Sequence, residues 1–278
     1  MEHYLWLVPL GFLVGAFGTL IGAGGGFVLM PVLLLLYPTE GPDLLAAISL
    51  AIVFFNAASG SAAYARMRRV DYKSGLILAV ATIPGAVLGA MMTGMVPRQV
   101  FDGILGVLMI AASAFLLWRP MPGASVDGRA GGASRGGAAA ALAPPDEVHR
   151  FGTYNVALAL ALSFVIGYLS SFLGIGGGII HVPVLVQFLH FPVHVATATS
   201  HFVLAIMALA GSAVHMAEGT FTHGLRRTAM LAVGVVIGAQ LGAWLSGRLR
   251  GPWIIRGLAA ALALVGIRVL VLAFQAVP

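Results

Sequence analysis

The chain contains no cysteine, which removes disulfides, thiolate metal sites and cysteine nucleophiles at once while leaving the redox compartment open. Charge is nearly as scarce. Only 9% of the residues are Asp, Glu, Lys or Arg against 60% hydrophobic, and the mean hydropathy is +1.00. A water-soluble domain of this size could not cover itself with so little polar surface, so the chain reads as an integral membrane protein. All nine carboxylates fall in loops, termini or the ends of apolar segments, and the carboxylate relay of many cation-coupled pumps is therefore missing. Period-two alternation is also lacking, which excludes an outer-membrane barrel. The opening MEHYLWLVPLGFL has neither the basic stretch nor the cleavage site of a signal peptide, so the first helix is expected to be permanent.

What is present is length and repetition. Apolar stretches cover roughly 5–36, 44–65, 74–96, 99–118, 154–189, 194–217, 225–247 and 253–275, each long enough to span a bilayer as a helix. The first and fifth are interrupted by glycines in the same way: GTLIGAGGGFVLMPVLLLL from Gly18 and SFLGIGGGIIHVPVLVQFL from Ser171. Gly22, Gly24, Gly25, Gly26 and Pro31 superpose on Gly174, Gly176, Gly177, Gly178 and Pro183 with one shift of 152 positions. SGSAAYARMRRVDY from Ser59 matches AGSAVHMAEGTFTH from Ala210, and PGAVLGAMMTG from Pro84 matches IGAQLGAWLSG from Ile237. The expected fold is all-α: a polytopic helical membrane protein of about eight transmembrane segments, arranged as two four-segment repeats with glycine-broken first helices. Residues 1–118 form the first repeat, 119–152 a flexible linker rich in Gly, Ala and Pro, and 153–278 the second. Gly85 with Gly89, and Gly238 with Gly242, are spaced for close helix packing in lipid.

Charge orients this scheme. Arg66, Arg68, Arg69 and Lys73 follow the second segment, Arg119, Arg129, Arg135 and Arg150 lie in the linker, and Arg226 and Arg227 follow the sixth segment. The positive-inside rule assigns these to the cytoplasm, and with four crossings per half both termini join them there. The loop carrying Glu40 and Asp43 falls outside, and Arg248 and Arg250 are exceptions on that side. If each broken stretch instead makes two passes, every half holds five and the repeats are inverted; the second pieces, about 26–37 and 178–190, are short for a full span, which favours half-helices or re-entrant pieces. The expected location is a membrane, crossed many times, and a pI near 10.3 reflects this topogenic bias and no nucleic-acid partner.

A glycine cluster costs roughly 1 kcal/mol per residue in a helix interior, so two at matching places mark deliberately broken helices, which in transporters point to the binding site. Where a helix restarts after the glycines, its first N–H groups lack intrahelical partners and carry the positive end of the dipole, a setting that binds oxyanions. Gly22, Gly24, Gly25, Gly26, Gly174, Gly176, Gly177 and Gly178 are therefore the first candidates for substrate contact. Ser49, Asn56, Thr199, Ser200 and His201 are the next, being polar at membrane depth. His181, His201 and His215 have Leu29, Leu50 and Tyr64 at the matching places in the first half, and are candidates for proton coupling. No catalytic residue, resident metal or cofactor is called for.

The set GAGGGFVLMPVL, GIGGGIIHVPVL, Ala198-Thr199-Ser200-His201, the GS-x-x-(Tyr/His) stretch and the GAxLG segment resembles the TauE/SafE family of toluene sulfonate uptake permeases, also called the sulfite exporter family. The resemblance covers both halves. It implies a bacterial-type inner-membrane permease for small anions such as sulfite, sulfonates or sulfoacetate, and His201 departs from the apolar residue that the family tends to carry. The expected partners are a small anionic substrate and the lipid bilayer, with a homo-oligomer left open. A divalent metal permease using His181, His190, His194 and His201 is the alternative in chemistry. An intramembrane enzyme is the alternative in class, although Ser200 beside His201 makes a poor nucleophile and base because adjacent helical residues point about 100° apart.

Overall fold

The structure, a computed structural model, describes residues 4–118, 156–189, 191–246 and 251–275; the expected linker lies outside them. The described residues form ten α-helices and no strand: α1 (Leu7–Ile21), α2 (Gly26–Leu36), α3 (Pro42–Arg66), α4 (Tyr72–Thr93), α5 (Arg98–Trp118), α6 (Val156–Phe172), α7 (Gly178–Gln187), α8 (Val193–Ala217), α9 (Leu225–Leu245) and α10 (Gly251–Gln275). Among these α3, α4, α5, α8 and α9 are long and apolar enough to cross a bilayer. The interiors are Leu- and Ala-rich, which favours helix, and in lipid every backbone polar group must be satisfied within the segment. Pro42 occupies the first turn of α3, where its missing N–H costs nothing. The Asp71 carboxylate caps α4 by accepting from the N–H groups of Lys73 and Ser74 at 3.1 and 3.3 Å, a contribution of about 1 kcal/mol.

The glycines break the first and fifth segments as expected. Gly22, Gly24 and Gly25 have φ of +87°, +77° and +79°, and Gly174, Gly176 and Gly177 have +65°, +74° and +46°. This left-handed backbone is open to glycine at little cost and closed to most other residues. The consequence for topology differs from the four-crossing scheme: the chain does not continue across the membrane after the break but turns back. Arg227, in the first turn of α9, stacks over the Tyr37 ring at 4.1 Å and hydrogen-bonds Tyr4, so α1 begins and α2 ends at the same face. In the second half Ala159 of α6 packs in one cluster with Leu185 and Val186 of α7 and Leu189 beyond it, so that hairpin closes on the opposite face.

Each half is therefore one hairpin plus three crossings, and the halves are inverted. The expectation that Arg226 and Arg227 share a face with Arg66 to Lys73 is corrected, because Arg227 Nη1 is 2.9 Å from Glu40 Oε1. The expectation that the linker and both chain ends share a face is corrected too. α5 ends and α6 begins opposite the face where α1 begins, and α10, running antiparallel to α5 with Ser113 donating to the Ala259 carbonyl at 2.6 Å, ends at the α1 face. Arg248 and Arg250 lie outside the described residues, but α9 ends and α10 begins at the Arg66 face.

The inversion shows in the packing. α1 lies parallel to α9 as α6 lies parallel to α4, while α3 crosses α8 and α5 crosses α10. At Gly85 and Gly238 the facing helix comes so near that a Cβ would meet the backbone carbonyls of Phe164 and Phe12. Small residues here let packing, which drives association in lipid, act at backbone distance.

Candidate functional site

The two glycine loops, drawn from opposite ends of the sequence, meet at the crossing of α3 and α8. A Cβ on Gly26 would lie 2.7 Å from the Ile175 carbonyl oxygen, and one on Gly178 would lie 2.6 Å from that of Gly22. Both loops are buried throughout. The space expected for an anion is occupied by apolar side chains: Val53 from α3 faces Gly176 and Leu204 from α8 faces Gly24, at 2.7 and 2.6 Å from where a Cβ would stand. These two residues pack with Ala57, Ala86, Met207 and Ala208 into one cluster. The crossing is a plug. The helix restarts are nevertheless as the glycines imply: the first backbone bonds of α2 run from Val28 and Leu29 to the Gly25 carbonyl at 3.1 and 3.0 Å, which leaves the Gly26 and Phe27 N–H groups outside the helical ladder.

Polar side chains flank the plug on both sides. Toward the Arg66 face, Thr19 Oγ1 donates to Asn56 Oδ1 at 2.7 Å and the Tyr64 hydroxyl donates to the Thr19 carbonyl at 2.9 Å. The His201 ring meets the Tyr64 ring edge-on at 5.5 Å, and its Nδ1 lies 3.3 Å from the Thr197 carbonyl. Toward the Glu40 face stand the repeat-related residues Ser170, Ser171, Gly211 and His215, in the places of Gly18, Thr19, Gly60 and Tyr64. Here the Ser170 and Ser171 hydroxyls and both His215 nitrogens are buried without a hydrogen-bond partner. Thr19, Tyr64, Ser170 and Ser171 were not candidates from sequence. The repeated GS-x-x-(Tyr/His) stretch was the signal that could have found Tyr64, and it did mark His215.

The remaining candidates divide. Ser49 joins the crossing by donating to the Gly174 carbonyl at 2.5 Å, while its repeat partner Ser200 has a buried Oγ with no partner. Thr199 faces away, accepting from the Asp71 N–H at 3.0 Å at the start of α4. His181 is buried with neither ring nitrogen bonded. Ser59 is an interhelical link, donating to the Val236 carbonyl at 3.0 Å and accepting from Gln240 at 2.8 Å.

An open cavity of about 580 Å³ lies at the Glu40 face, lined by Glu40, Asp43, Leu44, Thr220 and Arg227 among others. Beside it the Tyr37 phenol is held above its ordinary value of 10.0, mainly by burial and against the opposing pull of Arg227.

This inverted pair of glycine-broken hairpins extends over the length that matches the family described as Sulfite exporter TauE/SafE, residues 7–269. The chain belongs to that family. It is similar to the probable membrane transporter protein YunE of Bacillus subtilis, with 30% identity over 273 residues, covering 95% of this chain and 96% of the other. It is also similar to the probable membrane transporter protein MJ0441 of Methanocaldococcus jannaschii, at 22% over 229 residues and 78% and 76% coverage. A probable membrane transporter protein of Xylella fastidiosa is 27% identical over 186 residues, covering 67% and 64%. No solved structure matches.

No group of three His, Asp or Glu side chains able to hold a metal occurs among the described residues, and His190 lies outside them. Ser200 makes no hydrogen bond to His201, whose Nδ1 is turned to the Thr197 carbonyl.

Proposed function

We propose that the chain is a permease moving a small oxyanion of sulfur or a related organic anion, such as sulfite, a sulfonate or sulfoacetate, across the cell inner membrane. The observation that carries this reading is the meeting of two inverted glycine loops at the α3–α8 crossing, flanked on both sides by buried hydroxyl and imidazole groups. Hydroxyls and free helix-start N–H groups are donors suited to an oxyanion, and the two carboxylates that are buried among the described residues, Asp71 and Asp102, lie at the starts of α4 and α5, away from the crossing. Inverted repeats built on broken helices, with the site where the repeats meet, suit alternating access.

The orientation follows from charge. Arg66, Arg68, Arg69 and Lys73 lie on the face where α5 ends and the arginine-bearing linker begins, so that face is cytoplasmic by the positive-inside rule. The Glu40 face, where α1 begins and α10 ends, is then outside, which reverses the orientation expected for the chain ends. Flux of radiolabelled sulfite, sulfoacetate and a divalent metal ion through proteoliposomes tests the reading. Uptake of either sulfur anion without the metal supports it; metal flux alone overturns it.

A further inference from the structure

We propose that Ser170, Ser171 and His215 form an oxyanion subsite on the outer side of the plug, lacking the bonds that latch its inner counterpart; this rests on the permease reading above. The two clusters are the same piece of fold used twice. In the inner one two bonds draw the cluster together, Tyr64 reaching across to the Thr19 carbonyl at 2.9 Å and Thr19 spending its hydroxyl on Asn56 Oδ1 at 2.7 Å, while Asn56 Nδ2 and His201 Nε2 stay without a partner. In the outer one the corresponding residues are His215, Ser171 and Met207. An imidazole is shorter than a phenol and methionine offers no amide, so neither bond can form.

What remains are polar groups without hydrogen bonds. Ser170, Ser171 and His215 each have 0% exposure, yet their hydroxyls and ring nitrogens make no hydrogen bond, the Glu218 carboxylate standing beyond that range from His215. A buried polar group left unpaired costs roughly 1–3 kcal/mol, and three together at membrane depth are expected to face a cavity, water or a ligand. The Ser170 hydroxyl lies 2.5 Å from where a Cβ on Gly177 would stand, and Gly177 is the cap of α7 with no side-chain bond of its own. The Ser171 hydroxyl lies 2.6 Å from the Cβ position of Gly211, which stacks one turn below His215 on α8. The cluster thus brings two hydroxyl donors and an imidazole to the positive end of a helix, a set suited to an anion.

The outer face supplies a route. His215 Nδ1 is 3.7 Å from Glu218 Oε2, and the next residues, Gly219 and Thr220, line the 580 Å³ cavity with Glu40, Asp43 and Arg227. A file of polar groups therefore runs from that cavity through His215 to Ser171 and Ser170, and stops at Val53 and Leu204.

The absence of native cysteine makes the test direct. Ser171→Cys and Thr19→Cys are compared in detergent for modification by sulfonatoethyl methanethiosulfonate, itself a sulfonate, with methanesulfonate as protectant. Sulfite and sulfoacetate flux is measured in proteoliposomes for wild type, Ser171→Ala and His215→Tyr at equal amounts of folded protein. The expected result is rapid labelling at Ser171→Cys, slowed by methanesulfonate, with Thr19→Cys unreactive. His215→Tyr, which installs the inner latch residue on the outer side, and Ser171→Ala should each cut flux at least about tenfold, the loss given by removing a hydrogen bond to a charged group. If wild type carries either anion but both variants keep their flux, or labelling is unprotected, the subsite is wrong and the permease reading stands. If wild type carries neither anion, both fall.

Discussion

The Tyr64 hydroxyl donates to the backbone carbonyl of Thr19 at 2.9 Å, fastening α3 to the last turn of α1 next to the first glycine loop. That carbonyl sits where α1 breaks off at Gly22 and also accepts the Gly22 N–H at 3.1 Å, so the phenol is its second donor. Tyr64→Phe leaves the shape and removes the donor. The expected cost is about 1 kcal/mol, the net worth of one hydrogen bond, read as a lower thermal midpoint of the purified protein. An unchanged midpoint would show that the latch holds nothing.

The glycines divide by what they are for, and two alanine substitutions separate the reasons. Gly178 does not have a positive φ, but its Cβ would stand 2.6 Å from the Gly22 carbonyl oxygen and from the Ala23 Cα. Gly219 has φ +75° and an added Cβ there would meet nothing within 4 Å, so alanine meets only the left-handed strain of about 1–2 kcal/mol. Gly178→Ala should push the two loops apart and abolish flux, whereas Gly219→Ala should transport normally with a modest loss of stability. Equal flux from both would mean that the close approach of the loops has no part in transport.

Inverted halves make a labelling prediction. Thr39 and Arg68 are exposed on opposite faces, and α10 ends on the Thr39 face. Single cysteines at Thr39 and Gln275 should react together with an impermeant reagent added to intact cells, and a cysteine at Arg68 should react only after permeabilisation. Reaction at Arg68 and Gln275 together would restore the four-crossing scheme.

Arg98 ties α5 to the outer end of the first hairpin. Its guanidinium donates to the Leu34 and Tyr37 carbonyls at 3.2 and 3.4 Å and to the Glu40 carbonyl, while Nε pairs with Asp102 at 3.2 Å. The Leu34 and Tyr37 carbonyls belong to the C-terminal end of α2, the negative end of its dipole, and the Glu40 carbonyl to the loop beyond it. Arg98→Gln should lower stability by about 2 kcal/mol, the scale of a hydrogen bond to a charged group, and adding Asp102→Asn should recover part of it because no unpaired carboxylate then remains. Full additivity of the two changes would show that the pair is not coupled.

How much of this could be read from the residues is clearest at Gly22 and Gly174. The glycine spacing gave the break, the repeat and the meeting of two loops, because only glycine takes positive φ cheaply and both clusters have it at the same places. It could not give the direction of the chain after the break. That depends on whether α2 continues α1 or folds back beside it, and the answer lies in long-range contacts such as Arg227 with Glu40, which are 187 residues apart. The charge rule was then applied to a wrong crossing count, which is why Arg227 was assigned to the wrong face. Val53 and Leu204 were invisible as a plug, since a valine and a leucine in apolar helices look like any others. Thr19 and Tyr64 escaped notice because a bond from a side chain to a distant carbonyl leaves no periodic trace.

His201 offers the last test, since Leu50 occupies its place in the other half and the His201→Leu variant simply makes the halves alike. In the neutral ring the nitrogen facing the Thr197 carbonyl carries the hydrogen. Nε2 is then a lone pair directed to Gly60, whose Cβ position it approaches at 3.2 Å, and it has no partner. A lone pair repels an oxyanion, so His201 in this arrangement helps to keep the inner side closed and does not bind substrate there. His201→Leu should therefore leave the KM for sulfite unchanged within about twofold, a difference well below the loss of one hydrogen bond to a charged group. If His201 instead carries a proton with the substrate, the variant will flatten the pH dependence of flux per folded transporter around neutrality, where an ordinary imidazole titrates. Superimposable normalised profiles for wild type and His201→Leu exclude that role, and a flattened profile overturns the assignment of His201 to the closed latch.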